Sequence, residues 1–198
     1  MSMARSSRRH LDFYPTPEAA SHALADWLIA KARLGSADRL IDPAAGEGAI
    51  IRAFRKHGRV FDTHWSAIEI DPSHKSSLDE VAEWVTIADA LQVDWYNAHV
   101  VANPPFSLLD EFWQRICRHR QTYQRWCACL MPVTWWHAQK RRDYVRPDVI
   151  LALGWRPSFV QAGGSRNGTQ DYAWCVLAPH AQAFTRWERI EKPEPASA

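Results

Sequence analysis

Residues 103–106 read Asn-Pro-Pro-Phe, a set of side chains suited to holding a planar amine for chemistry. Two consecutive prolines fix their own φ angles and restrict the residue before them, so Asn103 and the Pro104 carbonyl should keep one geometry. Two fixed oxygens can accept both N–H bonds of an exocyclic nucleobase amine and direct its lone pair at an electrophile. Phe106 offers a flat apolar face on which the base can stack. The turn predicts direct group transfer to such an amine, without a covalent enzyme intermediate or a metal.

A second turn, residues 42–48, reads Asp-Pro-Ala-Ala-Gly-Glu-Gly. Glycine lets the backbone approach a ligand closely at the carboxyl ends of parallel strands, where open α/β sheets bind cofactors. Glu69, roughly 20 residues further on, can accept hydrogen bonds from ribose hydroxyls, and Asp89 can accept one from the exocyclic amine of an adenine. Because Ile51 stands where a dinucleotide fold has its third glycine, nothing requires a pyrophosphate. A nucleoside cofactor is expected, while a dinucleotide site or a tight turn without catalytic meaning stays open on these residues alone.

Short apolar runs separated by helical or mixed segments must position these turns. Their rhythm predicts an α/β fold of the Rossmann-like kind, with about seven mostly parallel strands and helices on both faces. The last two runs are joined by a glycine-rich loop without a helix, so they should form an antiparallel hairpin at the sheet edge. The predicted strands are Arg39–Ile41, Ala67–Ile70, Val85–Ala88, His99–Ala102, Trp126–Met131, Val149–Leu153 and Tyr172–Leu177.

A helix is predicted to open the fold at Thr16, whose hydroxyl would serve as the N-cap, with Pro17 at the first helical position. Apolar residues then recur at helical spacing, and Gly35 is a natural stop. The 198 residues, 46% of them hydrophobic, are enough for one domain with a full core, and they exclude a collagenous or wholly disordered chain. The expected organisation is a flexible basic arm over 1–11, a single catalytic domain over 12–190 and a flexible tail over 191–198.

The four cysteines contain no Cys-x-x-Cys pair and no histidine at the usual zinc-ligand offset, so reduced core residues are expected rather than a metal site. Cys127 and Cys129 should share one face of a strand. No stretch reaches the roughly 18 to 20 apolar residues of a membrane span, and the first ten residues lack the apolar part of a secretory signal. A cytoplasmic location without membrane contact is therefore the expectation.

Two of these motifs resemble a known family. Residues 42–48 resemble the glycine loop of the class I S-adenosylmethionine-dependent methyltransferases. Asn-Pro-Pro-Phe resembles motif IV of the amino-methyltransferases, which methylate adenine N6, cytosine N4, exocyclic amines in RNA or a glutamine amide. Residues 12–17 resemble motif X of N6-adenine DNA methyltransferases, and residues 156–159, 163–168 and 171–174 resemble the final hairpin of the phage-type enzymes.

The resemblance implies S-adenosylmethionine as cofactor and assigns roles to individual residues. Those implied to hold the cofactor are Tyr14, Thr16, Asp42, Ala44, Gly46, Glu69, Ile70, Asp89 and Asn103. Those implied to hold the target base are Asn103, Pro104, Pro105 and Phe106.

Charge is concentrated in one stretch although the net charge is only +2. Between Trp113 and Arg146 the only acid is Asp143, against eight basic residues, namely Arg115, Arg118, Arg120, Arg125, Lys140, Arg141, Arg142 and Arg146. Basic residues interleaved with tryptophan suit phosphate contact and base stacking, although a solvated helix face explains the first half equally well. The predicted nucleic-acid contacts are Trp135, Trp136, Lys140, Arg141, Arg142, Arg166 and Asn167, with Trp135 or Trp136 as the wedge that replaces a flipped base.

The combined prediction is a compact enzyme that methylates N6 of adenine in duplex or single-stranded DNA. The alternatives are a methyltransferase acting on guanine or adenine amines of ribosomal RNA, a protein-glutamine methyltransferase, and a non-catalytic nucleic-acid-binding module that retains the fold. The 198 residues are expected to form the sheet, its helices and short loops, without a separate target-recognition domain. Sequence specificity should therefore be loose, limited to a very short site, or supplied by a partner protein.

Overall fold

The computed structural model describes residues 15–32, 34–35, 37–59, 62–161, 164–166 and 170–194. The strands are β1 (Arg39–Asp42), β2 (His64–Glu69), β3 (Trp84–Ile87), β4 (His99–Ala102), β5 (Cys127–Pro132), β6 (Val149–Leu153), β7 (Phe159–Gln161), β8 (Gly164–Arg166), β9 (Tyr172–Leu177) and β10 (Arg186–Ile190). The helices are α1 (Glu18–Trp27), α2 (Ala49–Lys56), α3 (Lys75–Asp79) and α4 (Leu109–Tyr123). A π-helical turn covers Leu28–Ala32, and short 3-10 turns cover Pro72–His74, Phe106–Leu108, Val133–His137 and Gln139–Arg141. The predicted arm over 1–11 and residues 195–198 of the predicted tail lie outside the described residues.

Eight strands form one sheet in the order β10-β6-β9-β5-β4-β1-β2-β3. All neighbours are parallel except β9, which runs antiparallel to both β5 and β6. The predicted mixed α/β fold and the antiparallel pairing of the last two predicted strands are confirmed. The strand count is eight rather than seven, because β10 adds to β6 at the edge of the sheet. Its charged, mostly exposed sequence hides it from a search for apolar runs, while β7 and β8 form a separate two-stranded ribbon.

Alternation along the strands divides the apolar side chains between the two faces of the sheet. In β5, Ala128 and Leu130 pack into a core with α1 and α2, whereas Cys127, Cys129 and Met131 pack into a core with α4 on the other face. Helices therefore cover both faces, as predicted. All four cysteines are buried and free, and burial raises the pKa of the Cys175 thiol to about 12. None of the helices within the described ranges is long and apolar enough to cross a membrane.

Helix α1 is fastened to the sheet by two tryptophan side chains. The indole Nε1 of Trp174 in β9 donates to the Ala20 carbonyl at 2.9 Å, and the indole Nε1 of Trp27 donates to Oε2 of Glu188 in β10 at 2.7 Å. The predicted cap of this helix is wrong by one residue. Pro17, with ψ of 133°, is the N-cap and Thr16 lies outside the helix, because an extended Pro17 places its own carbonyl toward the N–H group of Ala20.

The start of α2 requires glycine for two separate reasons. Gly48 has φ of +86°, a left-handed backbone conformation that residues with a Cβ atom rarely adopt. A Cβ at this position would also lie 3.0 Å from Cγ2 of Val81 and 3.2 Å from Cδ2 of Leu78. The turn that leads into the helix is therefore fixed both by backbone conformation and by packing against α3 and the segment that follows it.

Replacing Gly48 with alanine should lower the free energy of unfolding by about 1–3 kcal/mol, because both the strain and the contact with Val81 must be accommodated. Gly58→Ala is the matched control, since a Cβ there meets nothing within 4 Å, and it should change stability by less than about 1 kcal/mol. Urea denaturation followed by circular dichroism measures both. Equal stability of the two variants would contradict this account of the turn.

Candidate active site

Three predicted site residues from distant parts of the sequence, Asp42, Glu69 and Asn103, lie at the carboxyl ends of neighbouring parallel strands. Strands β2, β1, β4 and β5 are adjacent and parallel, so their carboxyl ends lie together. Asp42 and Glu69 are the last residues of β1 and β2, and Asn103 directly follows β4. The antiparallel strand β9 begins at this same edge, because Tyr172 pairs with Pro132 at the end of β5.

The carboxylate of Glu69 ties the glycine turn to the end of β2. Its Oε2 accepts the backbone N–H of Gly46 at 2.7 Å, and its Oε1 accepts those of Ile70 and Asp71, both at 2.8 Å. The Ala45 N–H adds a bond to the Ile68 carbonyl at 3.1 Å. The predicted ribose ligand is thus also the residue that shapes the turn, a role that the sequence reasoning missed.

The groups around Glu69 present both apolar and acidic surface. Ile70 is 41% exposed, which is unusual for a large aliphatic side chain that follows a buried strand. Asp89, half-buried after β3, accepts the backbone N–H of Leu91 at 3.0 Å with its Oδ1 atom. The ends of the neighbouring strands β2 and β3 therefore carry two carboxylates, Glu69 and Asp89, together with one exposed apolar side chain.

Asp42 is a buried carboxyl group, with 1% of its surface exposed. Its Oδ1 accepts the backbone N–H of Ala44 at 3.1 Å, which holds the first part of the glycine turn. Burial raises the pKa of Asp42 to about 7, the N–H of Ala44 lowers it in part, and the charge of Glu69 raises it further. Asp42 is accordingly placed to shape the turn from beneath and carries little exposed surface of its own.

The turn after β4 places Asn103 with its side-chain oxygen Oδ1 buried and with Pro104 buried behind it. Pro105, with φ of −52°, leads into the 3-10 turn over Phe106–Leu108, where its carbonyl accepts the N–H of Leu108 at 2.9 Å. This 3-10 turn continues directly into α4. The two prolines therefore join a buried strand to the start of α4, which has one buried face, and leave the turn little freedom.

A row of aromatic rings extends from this turn along the sheet edge. The half-buried ring of Phe106 lies 5.7 Å from that of Tyr172 with an interplanar angle of 31°, and Tyr172 lies 4.7 Å from Phe159. Neither Phe159 nor Tyr172 was predicted as a site residue. The resemblance of both segments to a terminal hairpin was the only signal in the sequence, and it did not indicate contact with Phe106.

Three predicted site residues have no described side chain. Tyr14 and Asn167 lie outside the described residues, and only the backbone of Arg166 is described, in β8. Thr16 is buried just before α1. Trp174 of β9 holds this helix, because its indole Nε1 donates to the Ala20 carbonyl. Since β9 begins at the site edge, this contact brings the start of α1 toward the site.

The predicted wedge residues do not lie on an open surface. Trp135 is only 8% exposed, and its ring packs edge-on against those of Trp113 and Trp136. The guanidinium of Arg141 lies 4.2 Å above the Trp135 ring. Trp136 is half-buried, and its Nε1 donates to Sγ of Cys175 at 3.3 Å. Trp135 is thus buried in a tryptophan cluster with Trp136 half-buried beside it, and the wedge role of either ring remains a prediction.

Much of the predicted basic surface is neutralised. Asp110, at the start of α4, accepts from Arg141 Nε at 2.6 Å and from Lys140 Nζ at 2.5 Å, and these two bonds, that of Arg141 first, lower the pKa of Asp110. Asp110 precedes Trp113, where the basic stretch begins. The stretch taken alone therefore suggested a larger excess of positive charge than the folded chain presents. Two further arginines of the basic stretch make hydrogen bonds within the chain. Arg115 donates to the Val93 carbonyl, and Arg125 donates to the side-chain oxygen of Asn97. The exposed arginines of the stretch are Arg118, Arg142 and Arg146.

The sequence matches no protein-family profile and no curated protein. Solved structures do resemble it. A Listeria monocytogenes protein assigned to the class I S-adenosylmethionine-dependent methyltransferases has a TM-score of 0.61 and 12% identity, over 88% of this chain and 65% of that one. The methyltransferase subunit of a type I restriction-modification system from Streptococcus thermophilus has a TM-score of 0.59 and 13% identity, over 90% of this chain and 47% of that one.

The hMettl16 catalytic domain in complex with the MAT2A 3′UTR hairpin 6 has a TM-score of 0.50 and 15% identity, over 83% of this chain and 72% of that one. This chain thus spans about two thirds of the Listeria protein and about half of the Streptococcus subunit. At these identities the likeness concerns the fold. The chain has the Rossmann-like fold of the class I S-adenosylmethionine-dependent methyltransferases.

The raised pKa of Asp42 makes stability depend on pH. Below about pH 4 the carboxyl is neutral in both folded and unfolded chains, so its burial carries no charge penalty. Between about pH 4 and 7 it ionises in the unfolded chain first, and stability is lost as the pH rises through the folded-state pKa. Asp42→Asn should therefore gain stability relative to the natural chain across this window, reaching on the order of a few kcal/mol at pH 8.

Chemical denaturation at pH 4, 6 and 8 measures this difference. Asp143→Asn, at an exposed position, is the control and should follow the natural chain at every pH. A stability difference between Asp42→Asn and the natural chain that stays constant or shrinks as the pH rises would refute the assignment of a costly buried carboxylate.

Proposed function

We propose that this chain, which has the class I methyltransferase fold, binds S-adenosylmethionine and transfers its methyl group to N6 of adenine in DNA. The observation that carries the proposal is the position of the Asn103–Phe106 turn. It follows β4, one strand away from the glycine turn that Glu69 holds at the end of β1. An amine-holding turn and a cofactor-holding turn therefore share one edge of the sheet.

The residues at this edge fit the cofactor. Oε2 of Glu69 accepts one backbone bond, and a carboxylate oxygen has a second lone pair available for a ribose hydroxyl. Ile70 offers exposed apolar surface for an adenine ring, and Asp89, after β3, would accept a hydrogen bond from the amine of that ring. Asp42, Ala44 and Gly46 would form the wall beside the methionine portion, with Thr16 and Tyr14 closing it. When bound, S-adenosylmethionine supplies an electrophilic methyl group.

The chain's own residues would orient the target amine. Its lone pair is delocalised into the base, which makes the nitrogen a poor nucleophile. Acceptance of its two N–H bonds by the Pro104 carbonyl and by Asn103 Oδ1, which must first turn out of its buried position, would favour a tetrahedral nitrogen with its lone pair directed at the methyl group. Pro105 fixes the turn, and Phe106 offers a stacking face backed by Tyr172. No covalent intermediate with the enzyme is needed.

A base paired in a duplex has to leave the stack to reach these acceptors. Because Trp135 and Trp136 are held in the tryptophan cluster, filling the gap in the duplex would require that cluster to open. Phosphate contacts are assigned to the exposed Arg142, with Lys140 and Arg141 contributing only if they leave Asp110. Arg166 and Asn167 in the glycine-rich loop would supply further contacts.

RNA is the second candidate substrate. The Asn-Pro-Pro-Phe turn identifies an amine and not the polymer that carries it. The similarity of the fold to the hMettl16 domain, which was solved in complex with a hairpin, supports this alternative. The type I restriction-modification subunit and the likeness of residues 12–17 to motif X favour DNA.

The direct test is methyl transfer from labelled S-adenosylmethionine to unmodified duplex DNA, single-stranded DNA and total RNA in parallel. Digestion to nucleosides and mass spectrometry identify the product. We expect N6-methyladenine from DNA. Label confined to RNA would establish the second candidate instead, and cofactor binding without label in any polymer would indicate a binding module that retains the fold.

Asn103→Ala should reduce the turnover number by at least about 100-fold, because one of two acceptors for the reacting amine is removed. Its affinity for S-adenosylmethionine, measured by calorimetry, should stay close to that of the natural chain. Asn97→Ala, which removes a surface amide that accepts from Arg125, is the control and should retain full activity. Unchanged turnover in Asn103→Ala would refute the proposed mechanism.

A further inference from the structure

Strand β10 is an open edge of the eight-stranded sheet. Within the described part of the chain it pairs with β6 alone. The N–H of Arg186 donates to the Asp148 carbonyl at 2.9 Å, and the Ile190 carbonyl accepts from Gly154 at 2.9 Å. Residues 186, 188 and 190 therefore direct their backbone groups inward, and alternation directs those of Trp187 and Arg189 outward.

Large aromatic side chains are exposed at this edge. Trp187 is 61% exposed and Phe184, two residues before the strand, is 82% exposed. An open strand that carries exposed aromatic residues is a template for pairing with another strand. Charged residues normally prevent such pairing, because like charges meet across the two strands. The order of the charges in β10 decides which outcome applies.

We propose that β10 pairs antiparallel with β10 of a second copy of this chain, in a register centred on Trp187. A two-fold axis at this residue places Trp187 opposite Trp187 of the other copy and joins their outward backbone groups. Arg186 of each copy then lies opposite Glu188 of the other, which adds two pairs of opposite charge between the copies to the Arg186–Glu188 pair of 3.9 Å within each copy. Further out, Phe184 of each copy falls opposite Ile190 of the other. The segment 184–190 is thus complementary to itself about its central residue.

Neighbouring registers lack this complementarity. A two-fold axis at Glu188 places the two Glu188 side chains opposite each other, and an axis at Arg189 does the same for two arginines. A two-fold axis that lies between two residues places an outward-directed backbone group of one copy opposite an inward-directed group of the other. The hydrogen bonds between the two β10 strands are then lost. Glu188 is already oriented within its own copy, since Trp27 Nε1 donates to its Oε2 at 2.7 Å.

Pairing through β10 leaves the candidate active site accessible. In the sheet, β5, β9 and β6 separate β10 from the Asn103 turn on β4, and the glycine turn lies one strand further away. The two paired β10 strands run in opposite directions. The carboxyl ends of the parallel strands in one copy therefore point away from those in the other copy. The two sites of a dimer would therefore open on opposite sides and act on separate stretches of substrate. This dimer does not depend on the proposed reaction.

Sedimentation velocity of the full chain over a range of concentrations tests the proposal. The natural chain should reach a dimer, and Arg186→Glu and Glu188→Arg should each weaken dimerisation by about tenfold or more, because each creates two like-charge pairs. Mixing these two variants restores both opposite-charge pairs, now between unlike chains. At concentrations where each variant alone is monomeric, the mixture should therefore form a heterodimer.

Arg189→Glu is the matched control, because this residue falls opposite Thr185 in the proposed register and its reversal should leave the dimer intact. Recovery of the dimer in the mixture also shows that the single variants remain folded. A natural chain that stays monomeric at every concentration would overturn the proposal. So would a dimer that neither charge reversal weakens, or a mixture of the two variants that stays monomeric.

Discussion

The carboxylate of Glu69 accepts three backbone N–H bonds, and the geometry of the candidate site depends on them. One comes from Gly46 in the turn after β1, and two come from the residues that leave β2. A charged acceptor forms stronger hydrogen bonds than a neutral one, so this side chain joins two loops that the sheet alone would leave independent. The glycine turn can then adopt left-handed conformations at Gly46 and Gly48 and lead into α2.

The parallel sheet extends this local arrangement to the second half of the site. Since β1 and β4 are neighbours, the turn after β4 must lie beside the turn that Glu69 holds. The two prolines confine Asn103 and Phe106 between a buried strand and α4, and Tyr172 reaches the same place from the antiparallel strand β9. This arrangement buries the Asp42 carboxyl group at the glycine turn, and burial costs free energy when the group is ionised. The raised pKa of Asp42 reflects that cost.

Local patterns predicted most of the fold and both turns. Apolar runs located seven of the eight strands of the main sheet, because strands buried on both faces, such as β5 and β9, are nearly continuous apolar runs, and the half-exposed β3 still carries apolar residues. Strand β10 escaped because it lies at the edge and carries charges. The N-cap at Thr16 was misplaced because a Thr-Pro pair fits two neighbouring helix starts. The burial of Trp135 and the pairing of Asp110 with Arg141 depend on contacts between segments distant in sequence, which composition and spacing cannot reveal.

The most direct measurement of the central claim is the calorimetric affinity of the full chain for S-adenosylmethionine, with and without the Glu69 carboxylate. Glu69→Gln keeps the size of the side chain but cannot accept three backbone bonds and a ribose hydroxyl. It should bind at least about tenfold more weakly than the natural chain. Glu111→Gln, on the exposed side of α4, should bind like the natural chain. Equal affinity of the Glu69→Gln variant and the natural chain would contradict the account.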